Sequence, residues 1–134
     1  MSTRNFALIF GIVFILVGVA GFVPALVQPA DGGAMMIGGH GMLLGMFPVN
    51  TLHNVVHLLF GLWGIAASRS AGGAVNYARG VAIIYAVLAV CGLIPATQDG
   101  FGYVPLYGKD VWLHAALALV AAYFGWVNRN PVTG

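Results

Sequence analysis

Four long runs of apolar residues, separated by short segments rich in glycine, proline and polar residues, dominate the chain. They predict four helices, over residues 6–23, 50–67, 77–93 and 111–127. Each run is near the shortest that crosses a hydrocarbon core of about 30 Å at about 1.5 Å per residue. Strands are disfavoured because an open strand leaves backbone groups unpaired in lipid, and the alternating pattern of a membrane barrel is missing. The pattern predicts an all-α fold, an integral membrane four-helix bundle with up-down topology.

Composition strengthens this prediction. Hydrophobic residues make up 60% of the chain and charged residues 6%, whereas a soluble domain carries roughly 25% charged residues. No hydrophilic stretch is long enough to fold alone, so we expect a single membrane domain over residues 1–134. The net charge of +2 comes mainly from arginines that flank the helices, and it gives no reason to expect nucleic acid as a partner.

The charges are sorted by sign along the chain. Four arginines flank the helices on one side: Arg4, Arg69, Arg79 and Arg129. The other side receives Lys109 with all three acids, Asp31, Asp99 and Asp110. Because short cytoplasmic segments are enriched in arginine and lysine, both termini are predicted to be cytoplasmic. Removing the first apolar run as a signal peptide would spoil this sorting, so we expect a retained helix.

The segments between the helices carry turn and capping signals. The glycine-rich stretch from Ser68 to Gly73 predicts a tight turn between antiparallel second and third helices. Asn50 and Asp110 are predicted to cap the second and fourth helices, because their side chains can accept hydrogen bonds from free amides. Residues 32–47 are apolar but too rich in glycine to cross the bilayer. That loop is expected to lie at the interface or to enter the bundle.

Three histidines are predicted to converge near the outer membrane face. His53 and His57 are four residues apart and share one face of a helix, and His114 lies four residues after Asp110. Counted inward from Asn50 and Asp110, all three lie at comparable depth. Ionisable residues inside a membrane span indicate a functional site by default, because an unpaired one is costly there.

Three interpretations of these histidines remain open. The first is a structural hydrogen-bonded network with Asn50, Asn54, Asp99 and Asp110. The second is a transition-metal site made by His53, His57 and His114 with help from Asp110, or a haem held between His57 and His114. The third is proton or substrate handling at the mouth of a cavity. The His53–His57 spacing is a weak motif, since it lacks the glutamate of the zinc-protease pattern.

A weaker metal candidate lies in the loop before the second helix. His40 is accompanied there by Met35, Met36, Met42 and Met46, and thioethers with imidazole suit monovalent copper. Methionine is also an ordinary flexible residue at an interface, and no regular methionine spacing is present. Packing is therefore the simpler explanation.

Several motifs together resemble one family. They are Phe-Pro-Val-Asn-Thr-Leu-His-Asn-Val-Val-His-Leu over residues 47–58 with Gly61, Asp-Val-Trp-Leu-His over residues 110–114, and the opening helix up to Pro24. The chain resembles a bacterial family of small four-helix membrane proteins described as domain of unknown function 4383. The resemblance implies a four-helix bundle in which His53, Asn54, His57, Asp110 and His114 are the characteristic polar positions. It implies no activity, and His40 is not part of the pattern.

Function follows only in outline, because the chain carries no catalytic signature. The leading hypothesis is a non-enzymatic component of the bacterial cytoplasmic membrane, either an accessory subunit of a larger membrane complex or a helix bundle with a histidine cluster. The alternatives are a redox protein that binds haem or metal, and a small transporter that must form homo-oligomers. The lipid bilayer is the one partner that all three share.

Overall fold

The computed structural model describes residues 1–29, 41–98, 100, 103 and 105–128. Four helices make up most of this part of the chain. They are α1 (Thr3–Ala20), α2 (Thr51–Ala67), α3 (Ala71–Leu93) and α4 (Lys109–Ala122), and a π-helical turn, Tyr123–Val127, continues α4. A 3₁₀ turn at Pro24–Leu26 leads into three short strands, β1 (Val27–Pro29), β2 (Gly41–Leu43) and β3 (Phe47–Val49). The fold is therefore mostly helical, as the apolar pattern predicts.

Two helix starts differ from the prediction because a serine caps each of them. Ser2 Oγ accepts a hydrogen bond of 3.1 Å from the Asn5 amide, so α1 begins at Thr3 rather than at residue 6. Ser70 Oγ accepts one of 3.0 Å from the Gly73 amide, so α3 begins at Ala71 rather than at residue 77. The prediction of a turn extending to Gly73 was wrong. The cap offsets the low helix propensity of the glycines that follow it.

The strands form a small antiparallel sheet with β2 in the centre. Leu43 faces Val27 on one side and Phe47 on the other. Leu44 and Gly45 both have positive φ angles, 54° and 71°, which close the turn between β2 and β3. The sequence pattern did not predict these strands. Met35, Met36 and His40 of the methionine-rich loop lie outside the described residues.

Glycines bring α1 and α2 into direct backbone contact. A Cβ atom at Gly11 would lie 2.7 Å from the Gly61 carbonyl oxygen and 2.8 Å from the Ile65 amide nitrogen. At Gly64 it would lie 2.8 Å from the Ala7 carbonyl oxygen. Small residues that allow such close approach are typical of helix packing in membranes, where van der Waals contact drives association. These glycines therefore pack helices within one chain.

The core between the helices is aromatic. Phe6 stacks on Phe124 with ring centroids 4.7 Å apart, which joins α1 to the π-helical turn. Tyr77 is fully buried, and its hydroxyl donates a hydrogen bond of 3.2 Å to the Phe60 carbonyl. Tyr85 is also buried and packs on Phe60. Large rings thus fill the interior of a chain whose helices otherwise meet through glycine and alanine.

Three hydrogen bonds bring four helix ends together. Arg4 Nε donates to the Ser68 carbonyl at 2.9 Å, Thr3 Oγ1 to the Phe124 carbonyl at 3.1 Å, and Arg79 Nε to the Gly125 carbonyl at 2.8 Å. The starts of α1 and α3 therefore lie beside the ends of α2 and α4. We call this the arginine end, defined by Arg4, Arg69 and Arg79. Lys109 and Asp110 lie at the opposite end, where α4 begins.

Large apolar side chains cover the outside of the helices. Leu16 is 63% exposed, Trp112 72% and Leu119 73%. Three helices are long and apolar enough to cross a membrane, namely α1, α3 and α4 with its π-helical turn. The fourth, α2, is apolar but has only 17 residues. These surfaces suggest a membrane protein whose helices contact lipid.

Replacing Gly11 by alanine should destabilise the protein. The added methyl would press on the backbone of α2, which cannot yield locally, and overpacking of this kind costs about 1–3 kcal/mol. Gly72→Ala is the matched control, because a Cβ there has nothing within 4 Å. Thermal unfolding in detergent, followed by circular dichroism, should show a lower Tm for Gly11→Ala and an unchanged or higher Tm for Gly72→Ala. Equal Tm values for the two variants would contradict the backbone contact.

Candidate functional site

Asn50 sets the position of α2 at the end opposite the arginines. Its Oδ1 accepts a hydrogen bond of 2.8 Å from the His53 amide, which confirms the predicted N-cap. Its Nδ2 donates one of 2.6 Å to the Tyr103 carbonyl, in the segment before α4. With the first turn fixed in this way, His53 and His57 face the interior, and each is only 5% exposed.

Asp110 lies in the first turn of α4 but does not cap it. The N-cap is Gly108, with a φ of 74°, so the prediction that Asp110 caps this helix was wrong. The helix begins two residues earlier than a cap at Asp110 requires, and the Asp110 carboxylate is buried. Asp110 is 1% exposed, and its Oδ2 lies 3.7 Å from His53 Nε2 and 3.6 Å from His114 Nε2. The positive end of the helix dipole also stabilises a carboxylate in this first turn.

Three histidines from two helices meet around this carboxylate. One ring nitrogen from each of His53, His57 and His114 lies within 4.8 Å of the other two. The ring centroids of His53 and His57 are 4.3 Å apart, and those of His53 and His114 are 6.2 Å apart. We call the four residues His53, His57, Asp110 and His114 the histidine cluster.

Two aromatic side chains form the wall of the histidine cluster. Phe14 of α1 stacks on the His57 ring at 5.6 Å, and Tyr85 of α3 meets the His114 ring edge-on at 5.0 Å. Phe14 and Tyr85 also contact each other at 5.5 Å. All four helices therefore contribute to the site. Sequence reasoning missed both residues, although Phe14 shares a face of α1 with the packing residues Gly11 and Gly18.

The other predicted polar residues have different positions. Asn54 is buried, but its amide lies against the end of α1, where a Cβ at Gly21 would overlap it. Asn50 caps α2 as described. Asp99 and His40 lie outside the described residues.

Hydrogen bonding around the cluster is incomplete. Among the residues that the structure describes, six buried atoms have no hydrogen-bond partner: His53 Nδ1, Asn54 Oδ1, His57 Nδ1, Asp110 Oδ2, His114 Nδ1 and His114 Nε2. The two contacts to Asp110 Oδ2 are longer than a hydrogen bond of about 2.7–3.2 Å. Each unpartnered buried group costs about 1–3 kcal/mol. Each imidazole of the histidine cluster therefore has a ring nitrogen without a hydrogen-bond partner among the described residues.

The donor set and its spacing suit a transition metal. Ligands at about 2.0–2.1 Å from a tetrahedral zinc ion lie about 3.4 Å from one another. The distances of 3.6 and 3.7 Å from Asp110 Oδ2 to the two histidines are close to this value. The histidine nitrogens lie within 4.8 Å of one another, so some pairs would have to approach by up to about 1.4 Å to share an ion. Imidazole favours zinc, copper, iron and nickel, whereas calcium and magnesium prefer oxygen ligands.

The fold and the histidine cluster define a small helical protein of membrane type with a buried polar centre. The family model for a domain of unknown function, DUF4383, matches residues 4–127. The chain therefore belongs to that family, which confirms the resemblance drawn from its motifs. Comparison with curated proteins and with solved structures finds no match.

Replacing Asn50 by alanine should destabilise the protein more than replacing Ser70. Both residues cap a helix, and loss of a cap costs about 1 kcal/mol, but Asn50 also bonds the Tyr103 carbonyl. Thermal unfolding of Asn50→Ala and Ser70→Ala in the same detergent measures the difference. A Tm for Asn50→Ala at or above that of Ser70→Ala would show that the link to the segment before α4 contributes no stability.

Proposed function

We propose that this chain is a multi-pass protein of the bacterial cytoplasmic membrane whose histidine cluster binds one divalent transition-metal ion. It forms a single membrane domain, a four-helix bundle of up-down topology with both termini in the cytoplasm. The ion lies near the outer face, between α2 and α4. The protein acts as a non-enzymatic, metal-stabilised membrane component.

The distribution of charge supports this orientation. Arg4, Arg69 and Arg79 lie at the arginine end, together with the starts of α1 and α3. Asp110 and Lys109 lie at the opposite end. Arginine and lysine in short flanking segments favour the cytoplasmic side. The arginine end is therefore the cytoplasmic end, and the histidine cluster lies toward the outside.

The unpartnered nitrogens of the buried histidines carry the proposal of a metal ion. A purely structural network would be expected to close its hydrogen bonds, because nearly all buried polar groups in proteins find a partner. Here each of the three imidazoles retains a nitrogen without one among the described residues, and a carboxylate lies between two of the rings. An ion bound by one nitrogen of each ring and by Asp110 Oδ2 would give these buried groups a shared partner.

The compactness of the cluster favours a single ion over a haem. The carboxylate oxygen of Asp110 lies within 3.7 Å of a ring nitrogen of both His53 and His114, so it crowds His114, one of the two residues that would hold a haem. His57 packs directly on His53 and on Phe14. Rings packed against one another and against Phe14 in this way suit one small ion better than a flat porphyrin.

Four protein ligands also indicate the role of the ion. Structural zinc sites are filled by four protein side chains, whereas catalytic sites keep an open position. Three histidines and Asp110 fill a tetrahedral site, so zinc is the ion that the donor set fits best. Bound there, it joins α2 to α4 at the outer end, where the side-chain contacts are too long for hydrogen bonds.

Zinc binding is tested by metal analysis and by cobalt spectroscopy of the detergent-purified protein. We expect one zinc ion per chain, and after exchange a cobalt spectrum with the strong visible bands of tetrahedral coordination. Zinc added to metal-free protein should raise the Tm. The rise should grow with the ratio of the free zinc concentration to the dissociation constant. His57→Ala, His114→Ala and Asp110→Asn should each lower the affinity at least tenfold, the effect of losing even an outer-shell partner.

His40→Ala is the matched control, since it removes a histidine that is not in the cluster. It should bind zinc like the unchanged protein. A chain that binds neither ion, and whose Tm zinc does not change, would overturn the proposal and return the cluster to a structural role. Loss of binding in His40→Ala alone would move the metal site to the methionine-rich loop.

Membrane orientation is tested with reporters fused after residue 134. We expect a C-terminal fluorescent protein to be bright and a C-terminal alkaline phosphatase to be inactive, because the first folds in the cytoplasm and the second requires the outside. A fusion in the loop between α3 and α4 should give the reverse pattern. An active phosphatase at the C-terminus would place the histidine cluster on the cytoplasmic side and contradict the orientation.

A further inference from the structure

An apolar groove runs along the outside of the protein between α3 and α4. Its volume is about 290 Å³. Alanines form its floor, among them Ala82 and Ala118, which are nearly buried. Ile83 and Leu119 form its sides and are 58% and 73% exposed. The groove therefore opens away from the core, toward the surroundings of the helices.

The groove begins beside an arginine and runs toward the middle of the helices. Ala82 and Ala86 follow Arg79 by three and seven residues, so they lie on the same face of α3 as the arginine. This distance corresponds to about 10 Å along the helix. Trp126 lines the same end from the side of α4. The groove is thus apolar along its length and has a cation at one end.

Contacts with α4 hold Arg79 at this position. Its Nε donates a hydrogen bond of 2.8 Å to the Gly125 carbonyl, and its guanidinium carbon lies 5.5 Å from the centre of the Trp126 ring. A Cβ at Gly125 would lie 2.9 Å from Arg79 Cγ, so the two helices are in close contact there. The bond to Gly125 uses one of the five N–H donors of the guanidinium. Arg79 remains exposed, with its charge at the mouth of the groove.

We propose that this groove binds one acyl chain of an anionic phospholipid, whose phosphate pairs with Arg79. The apolar groove suits the hydrocarbon tail, and the guanidinium can bind a phosphate with two parallel hydrogen bonds. A tryptophan at this level is typical of the membrane interface. Basic pockets between helices on the cytoplasmic side bind anionic headgroups. The inference rests on the membrane placement proposed above and is independent of the metal ion.

A lipid fits this surface better than a second helix does. Ile83 and Leu119 project on both sides of the groove and would hold a partner backbone away from the alanines between them. A flexible hydrocarbon chain can enter between the two side chains. A partner helix would also need an acidic residue opposite Arg79, and the described helices carry only Asp110, at the other end of the protein.

Lipid binding is tested by native mass spectrometry and by thermal unfolding of the full chain. The probes are phosphatidylglycerol and phosphatidylcholine with identical acyl chains. We expect one tightly retained phosphatidylglycerol per chain and a larger rise in Tm with this lipid than with phosphatidylcholine. Arg79→Gln should reduce the preference for phosphatidylglycerol about tenfold, the usual effect of losing a hydrogen bond between charged groups.

Arg69→Gln is the matched control, because Arg69 is exposed at the arginine end but does not line the groove. It should retain the preference. If Arg79→Gln does not fold, Ala86→Leu answers the same question, since it fills the groove and leaves Arg79 intact. It should weaken retention of both lipids, whereas Val13→Leu, at an exposed position of α1, a helix that does not line the groove, should not.

Equal retention of the two lipids by the unchanged protein would overturn the proposal. A stable dimer that Ala86→Leu dissociates, without any lipid preference, would overturn it too and assign the groove to a second copy of the chain. Membrane extraction of the same samples separates these results from a failure of the membrane placement. A chain recovered from the soluble fraction would contradict that placement rather than the lipid site alone.

Discussion

Burying a carboxylate among imidazoles inside an apolar fold carries a large free-energy cost, and the arrangement of α2 and α4 follows from the need to offset it. Asp110 lies between His53 and His114 at nearly equal distances. The carboxylate reaches this position because Gly108, rather than Asp110, caps α4. In α2, the hydrogen bond from the His53 amide to the Asn50 side chain fixes the first turn, from which both histidines face inward. Without a partner for these groups, the two halves of the chain would meet through costly unpaired polar atoms.

The two ends of the fold satisfy their polar groups by different means. At the arginine end, hydrogen bonds from Arg4, Thr3 and Arg79 reach carbonyls near the ends of α2 and α4. The wide π-helical turn leaves the Phe124 and Gly125 carbonyls available for side chains from α1 and α3. This end is closed by ordinary hydrogen bonds within the chain. The opposite end retains unpartnered nitrogens among the described residues, and this contrast supports a ligand there.

Local signals in the sequence predict much of this structure. The apolar runs predict four helices, the His53–His57 spacing places both rings on one face, and the Asn50 cap is confirmed. The start of α3 differs because a single serine cap outweighs several glycines. The Asp110 prediction was wrong because the chain enters α4 at Gly108, whose φ angle of 74° favours glycine, two positions before Asp110. Phe14 and Tyr85 could not be assigned to the site, since their contacts depend on how four helices pack together.

The short length of α2 has a consequence for the surrounding bilayer. Its 17 residues span about 25 Å, whereas a typical hydrocarbon core is about 30 Å thick. The strands β1, β2 and β3 come between α1 and α2 in the chain and pair into one sheet, so the backbone just before α2 is also hydrogen-bonded. A span shorter than the lipid core creates hydrophobic mismatch, which thins the bilayer locally. In the membrane placement proposed above, the protein would therefore concentrate in thin regions of membrane, where its buried polar centre lies closer to water.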